Sequence, residues 1–371
     1  MYKIPFFNYP ALYQSRREKY DSILKAALES GYYIMGPELT AFEGGLAEYT
    51  TARHAIGVAD GTMALICGAL ASGIQPGDEV LVPAHTFIAS ASAIHHCGAK
   101  PVVVDCGVDH LICPNSARQH ITNKTKAIMP VQLNGRTANM DAIRKLSSEY
   151  DLIIIEDSCQ ALGSKFKGKQ AGTFGSAGAL SFYPSKTLGC FGDGGAVLTN
   201  DDEVAEKIRT LRDHGRGSDG EISMYGYNAR LDNIHAAILL FKLSFYDEEI
   251  EKRRSLARIY NDRLSGIEGL HLPPAPDALS DHFDIFQNYE IESVNRDALR
   301  HYLHEKGIGT ILQWGGKTLN QYKSLSLSGE ATYADGMTDR FMMLPMNTTL
   351  LDEDVNRICD EIITFYKNQN C

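Results

Sequence analysis

Short apolar runs separated by amphipathic stretches constrain this chain more than any other feature. The runs lie at 79–82, 101–104, 127–131, 152–155, 178–182 and 196–198. The middle ones are unbroken rather than alternating, as in strands buried on both faces. Helical segments near 62–72, 86–97, 139–149 and 202–213 fall between several of them. The pattern predicts an α/β fold with a mostly parallel central sheet flanked by helices. Upstream, 15–30 spaces Tyr20, Ile23, Leu24, Ala27 and Leu28 as a helix that Gly31 ends, and 37–49 sets Leu39, Phe42, Leu46 and Tyr49 on one stripe. Downstream, one long helical stretch is expected over 231–264. The run GIEGLHLPPAP at 266–276 then breaks the pattern. It divides the chain into a large α/β domain, residues 1–265, and a smaller C-terminal α+β domain, residues 266–371. The latter is expected to hold a strand at 286–291 and helices at 296–306 and 352–366.

Charge and cysteine usage exclude several function classes. The formal net charge is −10 and no Lys/Arg-rich run stands out, which argues against a nucleic-acid partner. The start, MYKIPFFNYP, lacks the plan of a signal peptide, and no apolar run approaches the roughly 20 residues that span a bilayer. A cytoplasmic protein without a membrane partner is expected. The eight cysteines are scattered with no C-x-x-C pair, so reduced thiols and no metal are expected.

In open α/β sheets, ligands gather at the carboxyl ends of strands. The residues placed there are Glu156-Asp157-Ser158-Cys159-Gln160, Tyr183-Pro184-Ser185-Lys186, Asp60-Gly61-Thr62, and the loop with His85, Thr86 and Phe87. Pyridoxal phosphate (PLP) needs a lysine for its aldehyde and a carboxylate for its pyridine nitrogen. Its phosphate needs donors at a helix start, with hydroxyls nearby. Lys186, Asp157, Gly61-Thr62 with Ser181, and the ring of Phe87 can fill these roles. Each has an ordinary alternative. Lys186 can be a solvated charge, Asp157 a helix cap, Gly61-Thr62 a turn, Phe87 a core residue and Ser181 a small buried one. Only the constellation raises them together.

At these residues the chain resembles the DegT/DnrJ/EryC1/StrS family of PLP-dependent nucleotide-sugar aminotransferases, which have fold type I of the aspartate aminotransferase superfamily. The stretches that carry the resemblance are GPELTAFE (36–43), GTMAL (61–65), GDEVLVPAHTFIAS (77–90), GAKPVVVD (98–105), EDSCQALG (156–163), LSFYPSKTLGCFGDGGAVLTN (180–200), LRDHG (211–215) and YNARLDNIHAAIL (227–239). The resemblance implies that Lys186 holds PLP as an internal aldimine and that Asp157 pairs with the pyridine nitrogen. It implies Gln160 near the ring, Gly61, Thr62 and Ser181 at the phosphate, and Phe87 stacked on the cofactor. Asn228 matches an asparagine that reaches the phosphate from a neighbouring subunit, so a homodimer with shared active sites is implied. His85, Arg230 and Trp314 are the substrate candidates. Three departures from the family pattern fall where a nucleotide-sugar would be read: Asp60 before the Gly-Thr pair, Gln132 in place of a common His, and ILQWGGKTLNQY at 311–322.

The implied reaction moves an amino group from L-glutamate to a nucleotide-linked keto-deoxysugar by ping-pong kinetics. The leading acceptor is dTDP-4-keto-6-deoxyglucose, aminated at C4, for a surface polysaccharide such as the O-antigen of lipopolysaccharide or for an antibiotic sugar. A 3-keto-sugar or cyclitol acceptor is the alternative, and a non-catalytic sensor with the same fold is a further one. Sugar dehydration is disfavoured because the relatives that do it carry His where Lys186 stands. Gly163-x-x-x-x-Gly168-Lys169 approaches a P-loop, but Gln170 replaces the Ser/Thr that binds magnesium. His304-Glu305 would need a histidine at 308, where Ile308 stands.

Overall fold

The computed structural model describes residues 2–369. Five strands come first: β1 (His54–Val58), β2 (Glu79–Pro83), β3 (Lys100–Val104), β4 (Thr125–Ile128) and β5 (Ile153–Asp157). The two-residue strands β6 (Lys165–Phe166) and β7 (Lys169–Gln170) precede β8 (Ala177–Ser181) and β9 (Gly195–Thr199). The remaining strands are β10 (Leu270–His271), β11 (His282–Phe283), β12 (Tyr289–Ser293), β13 (Ser328–Gly329) and β14 (Phe341–Leu344).

The main sheet has eight strands in the order β1-β9-β8-β5-β4-β2-β3-β13. From β8 to β13 all pairings are parallel, and β9 runs antiparallel to both β8 and β1. Strand β2 is buried along its whole length, as its unbroken apolar run requires. The helices Gly61–Ala71, Ile88–His96 and Asp202–Arg212 share one core with the sheet, and Pro37–Thr50 and Asn233–Leu243 share another. No helix among the described residues is long and apolar enough to cross a membrane.

The 231–264 stretch is two helices, not one. Asn233–Leu243 ends at Ser244, and Tyr246–Leu264 begins after Phe245, whose backbone is not helical. The first packs on Pro37–Thr50 and the second on Asp352–Gln369. A straight rod cannot serve both cores, so the turn re-aims the chain. Strand β1 was not among the expected runs; HAIGV is short and carries Gly57, which weakens the strand signal.

A second sheet, β10-β12-β14, is antiparallel. Its core draws Leu256, Tyr260 and Leu264 from before residue 265, and Ile4 from the N-terminal segment. Two short pairings reach back to the rest of the fold: β11 pairs with β6, and β13 pairs with β3. At β13, Gly329 has φ +107 and a Cβ there would lie 1.9 Å from the Val103 carbonyl oxygen, so only glycine permits that approach.

Candidate active site

The floor of the site is built where adjacent strands end together. Strand β5 delivers Asp157 as its last residue and β8 delivers Ser181. Asp157 is buried; its Oδ2 accepts from Ser90 Oγ at 2.7 Å and its Oδ1 from the Cys159 N–H at 3.2 Å. Ser90 also shares a 2.8 Å hydrogen bond with Thr86 Oγ1, so the segment that carries Phe87 braces the carboxylate.

Lys186 follows the turn at Tyr183-Pro184-Ser185, which its own N–H closes by donating to the Tyr183 carbonyl at 2.8 Å. Its side chain is partly accessible from the cavity but enclosed by the walls. That desolvation pushes the amine below its ordinary pKa, against an upward pull from Cys159 and Asp157.

Helix Gly61–Ala71 begins beside these strand ends. Asp60 caps it, accepting from the Met63 N–H at 2.8 Å. This accounts for the carboxylate at that position, since a helix start favours negative charge. A Cβ at Gly61 would lie 2.8 Å from Ser181 Cβ, so glycine lets the helix start approach the strand end. Backbone N–H groups with the Thr62 and Ser181 hydroxyls make an anion cradle there.

A cavity of about 870 Å³ gathers Lys186, Asp157, Gly61, Thr62, Phe87, Gln160, Ser181 and Trp314. The Phe87 ring is half exposed, unlike the core residue its composition alone would suggest. The residues present fit PLP: an enclosed lysine, a braced carboxylate, an anion cradle and a free aromatic face occupy one cavity.

Three of the expected residues do not line it. His85 is fully buried, packed edge-on against Trp314 with ring centroids 5.0 Å apart. Arg230 pairs with Asp213 at 2.9 Å and donates to Asn228 Oδ1 at 2.8 Å, while Asn228 itself is exposed. Gln132 does not reach the cavity either. It is fully buried, with Nε2 on Glu156 at 2.8 Å and Oε1 accepting from the Ala138 N–H at 2.7 Å. Its amide serves a buried carboxylate instead of a ligand.

Gln287 and Asn288 also line it and escaped the sequence reading, while Tyr183 and Gln313 lie in stretches that it singled out without giving either a role. Tyr183 sits inside the LSFYPSK stretch, next to Lys186, and was there to be found. Gln287 and Asn288 lie on the C-terminal side, where no motif marks them.

Behind Trp314, His85, His110 and Glu290 bring donor atoms within 4.8 Å of one another, a spacing that also suits a metal ion. Burial alone would lower the His110 pKa, but hydrogen bonds to Glu290 and Glu292 outweigh it and raise it to about 10. Both ring nitrogens therefore carry hydrogens near neutrality, spent on Glu290 at 2.7 Å and Glu292 at 3.0 Å. Burial likewise raises Glu290, but His85 and His110 reverse this and hold its carboxyl well below the usual range. With no metal present, the group is held together as an ion-pair network.

The chain matches the DegT/DnrJ/EryC1/StrS aminotransferase family over residues 14–363. It is 37% identical to a dTDP-3-amino-3,4,6-trideoxy-alpha-D-glucose transaminase of Streptomyces venezuelae, over 97% of this chain and 95% of that protein. It is 34% identical to the GDP-perosamine synthase of Escherichia coli O157:H7, over 90% and 92%. Among solved structures, S. venezuelae DesV in complex with a ketimine intermediate superposes with a TM-score of 0.93 at 35% identity, covering 99% of each chain. The ntda protein of Bacillus subtilis with bound cofactor PMP superposes at 0.89 and 28% identity, over 99% of this chain and 86% of that one. Fold, cavity and sequence agree, and the chain belongs to the DegT/DnrJ/EryC1/StrS aminotransferase family of PLP-dependent sugar transaminases.

Proposed function

We propose that this chain transfers an amino group from L-glutamate to the keto group of a dTDP-linked deoxysugar, working as a cytoplasmic homodimer. The enclosed, unpaired amine of Lys186 beside the braced carboxylate of Asp157 carries the reading. Lys186 would hold the aldehyde of PLP covalently, Asp157 its ring nitrogen, and Gly61, Thr62 and Ser181 its phosphate, with Phe87 on its face and Gln160 beside the ring. When bound, the cofactor supplies an electron sink for the charge left when a proton is removed next to the amino group. Displaced from the aldehyde by the incoming amine, Lys186, with its pKa lowered by burial, would take that proton at Nζ and give it back at the carbon on the other side of the nitrogen. Asp157, its Oδ2 held by Ser90 Oγ, would pair with the ring nitrogen.

The name of the 37%-identical relative, a dTDP-3-amino sugar transaminase, supports C3 as the first carbon to test. The perosamine relative keeps the C4 acceptor expected from sequence as the second reading. For the homodimer, support comes from the exposed apolar residues Tyr32, Tyr33, Ile34, Met35 and Tyr225, and from the exposed Asn228.

The test is incubation with L-glutamate and a panel of nucleotide-linked 3-keto and 4-keto deoxysugars, with the aminated carbon read by NMR. Formation of 2-oxoglutarate with a 3-amino sugar is expected. A 4-amino product selects the second reading, and amination of cyclitols or small keto acids alone overturns both.

A further inference from the structure

Part of the cavity wall is made of carboxamides, and their polarity is set from behind. Gln160, Asn288 and Gln313 line the cavity, and all three bond to Asn134. Gln160 Oε1 accepts from the Asn134 N–H at 2.8 Å. Asn134 Oδ1 accepts from Asn288 Nδ2 at 2.9 Å and from Gln313 Nε2. On its other side, Asn134 Nδ2 donates to Glu290 Oε1 at 3.1 Å.

An amide can present either end to a neighbour, so Asn134 alone does not fix this arrangement. The carboxylate does. Ionised Glu290 only accepts, so Asn134 must turn its NH₂ toward it and its oxygen toward the cavity wall. Asn288 and Gln313 then direct NH₂ groups to that oxygen. Gln313 is left with Oε1, which is buried and has no hydrogen-bond partner among the described residues. A buried acceptor without a donor is a standing cost that a ligand hydroxyl removes.

We propose that Glu290 is a positioning residue for sugar recognition: fixed between His85 and His110, it orients Asn134, which sets Gln313 to accept a hydrogen from a hydroxyl of the sugar. This rests on the function proposed above, in that the hydroxyl belongs to the keto-sugar. Glu290 is bonded to His85 Nε2 at 3.1 Å and His110 Nδ1 at 2.7 Å, so its carboxylate has no freedom to swing away. Glu290→Gln introduces an NH₂ where only acceptors stood. Asn134 can then turn over, and Gln313 with it, presenting a donor to a ligand that needs an acceptor.

The experiment is steady-state kinetics on the holoenzyme, varying the keto-sugar that the wild type aminates at saturating L-glutamate. Glu290→Gln and Gln313→Met should each raise KM for the sugar about tenfold, the net worth of a single hydrogen bond. In each, kcat should stay within about threefold. The double variant should be no worse than the weaker single, because both act through one contact. A sugar KM unchanged in either variant, or losses that multiply in the double, overturns the assignment. Should Glu290→Gln not fold, Gln313→Met decides alone through the same KM, since it lies on the cavity wall outside the ionised cluster. A wild type that aminates no sugar in the panel overturns the proposed function instead, so the two failures are told apart.

Discussion

Two ionisable groups near the site, Lys186 in the cavity wall and His110 in the layer behind it, are treated in opposite ways. Lys186 has no ion-pair partner among the described residues, and burial pushes its amine toward the neutral form. His110 sits between Glu290 and Glu292, and its imidazole is held charged up to about pH 10. Glu292 is in turn paired with Arg340 at 2.8 Å, and hydrogen bonds from His110 and Arg340 overcome its burial and lower it to about 2. An amine left without a partner is costly and reactive, which suits a group that must exchange protons and bonds. A charge met on both sides is satisfied and inert. Proximity to the cavity therefore does not mark a group for chemistry; the lack of a partner does.

The contrast is most exposed to failure at Lys186. Lys186→Ala should lower turnover by about 10⁴-fold, the upper range for loss of a positioned proton carrier, in an assay of amino-sugar formation. Thermal unfolding should show no loss of stability, because an unpaired buried amine is removed. A marked fall in Tm would mean that the lysine is structural and would break the comparison.

His110→Gln should reverse that pattern. Removing one partner from a buried pair costs about 3 kcal/mol, read by urea unfolding at pH 6. The folded state raises this imidazole from its ordinary 6.5 to about 10. Its contribution is therefore whole below pH 6.5, declines as pH rises, and is gone above about 10. The deficit of the variant should shrink along the same course, and one that stays constant to pH 10 would show that His110 is not held protonated.

The smallest effect sharpens the comparison at a charge of a third kind. Asp60 is a carboxylate whose role is local, as the cap of helix Gly61–Ala71. Asp60→Ala should cost about 1 kcal/mol in unfolding experiments. Asp60→Asn should recover most of it, since the amide oxygen caps as well. Failure of Asp60→Asn to recover stability would show that charge, not the hydrogen bond, matters there.

Much of this arrangement was legible in the sequence, and the line between legible and hidden follows chain distance. Asp157 and Lys186 follow apolar runs and Ser181 lies at the end of one, so strand ends alone bring them near one another. Gly61 and Thr62 open a helix marked by its cap residue. These signals are local, and local signals survive in a string of letters. The His85–His110–Glu290 network joins three distant segments through a register no motif records. Gln132 illustrates the converse error: it departs from the family pattern, yet its change answers to buried Glu156 and not to a ligand. The break at Ser244-Phe245 was hidden because apolar spacing continues through it while the face it serves changes.

The two short pairings, β11 on β6 and β13 on β3, carry a consequence for how the C-terminal part of the chain can move. They stitch the C-terminal sheet to the larger body at separate points, so it cannot swing away like a door without unzipping backbone bonds at both seams. The seam at Gly329 admits no side chain, which makes that glycine a latch holding the door shut.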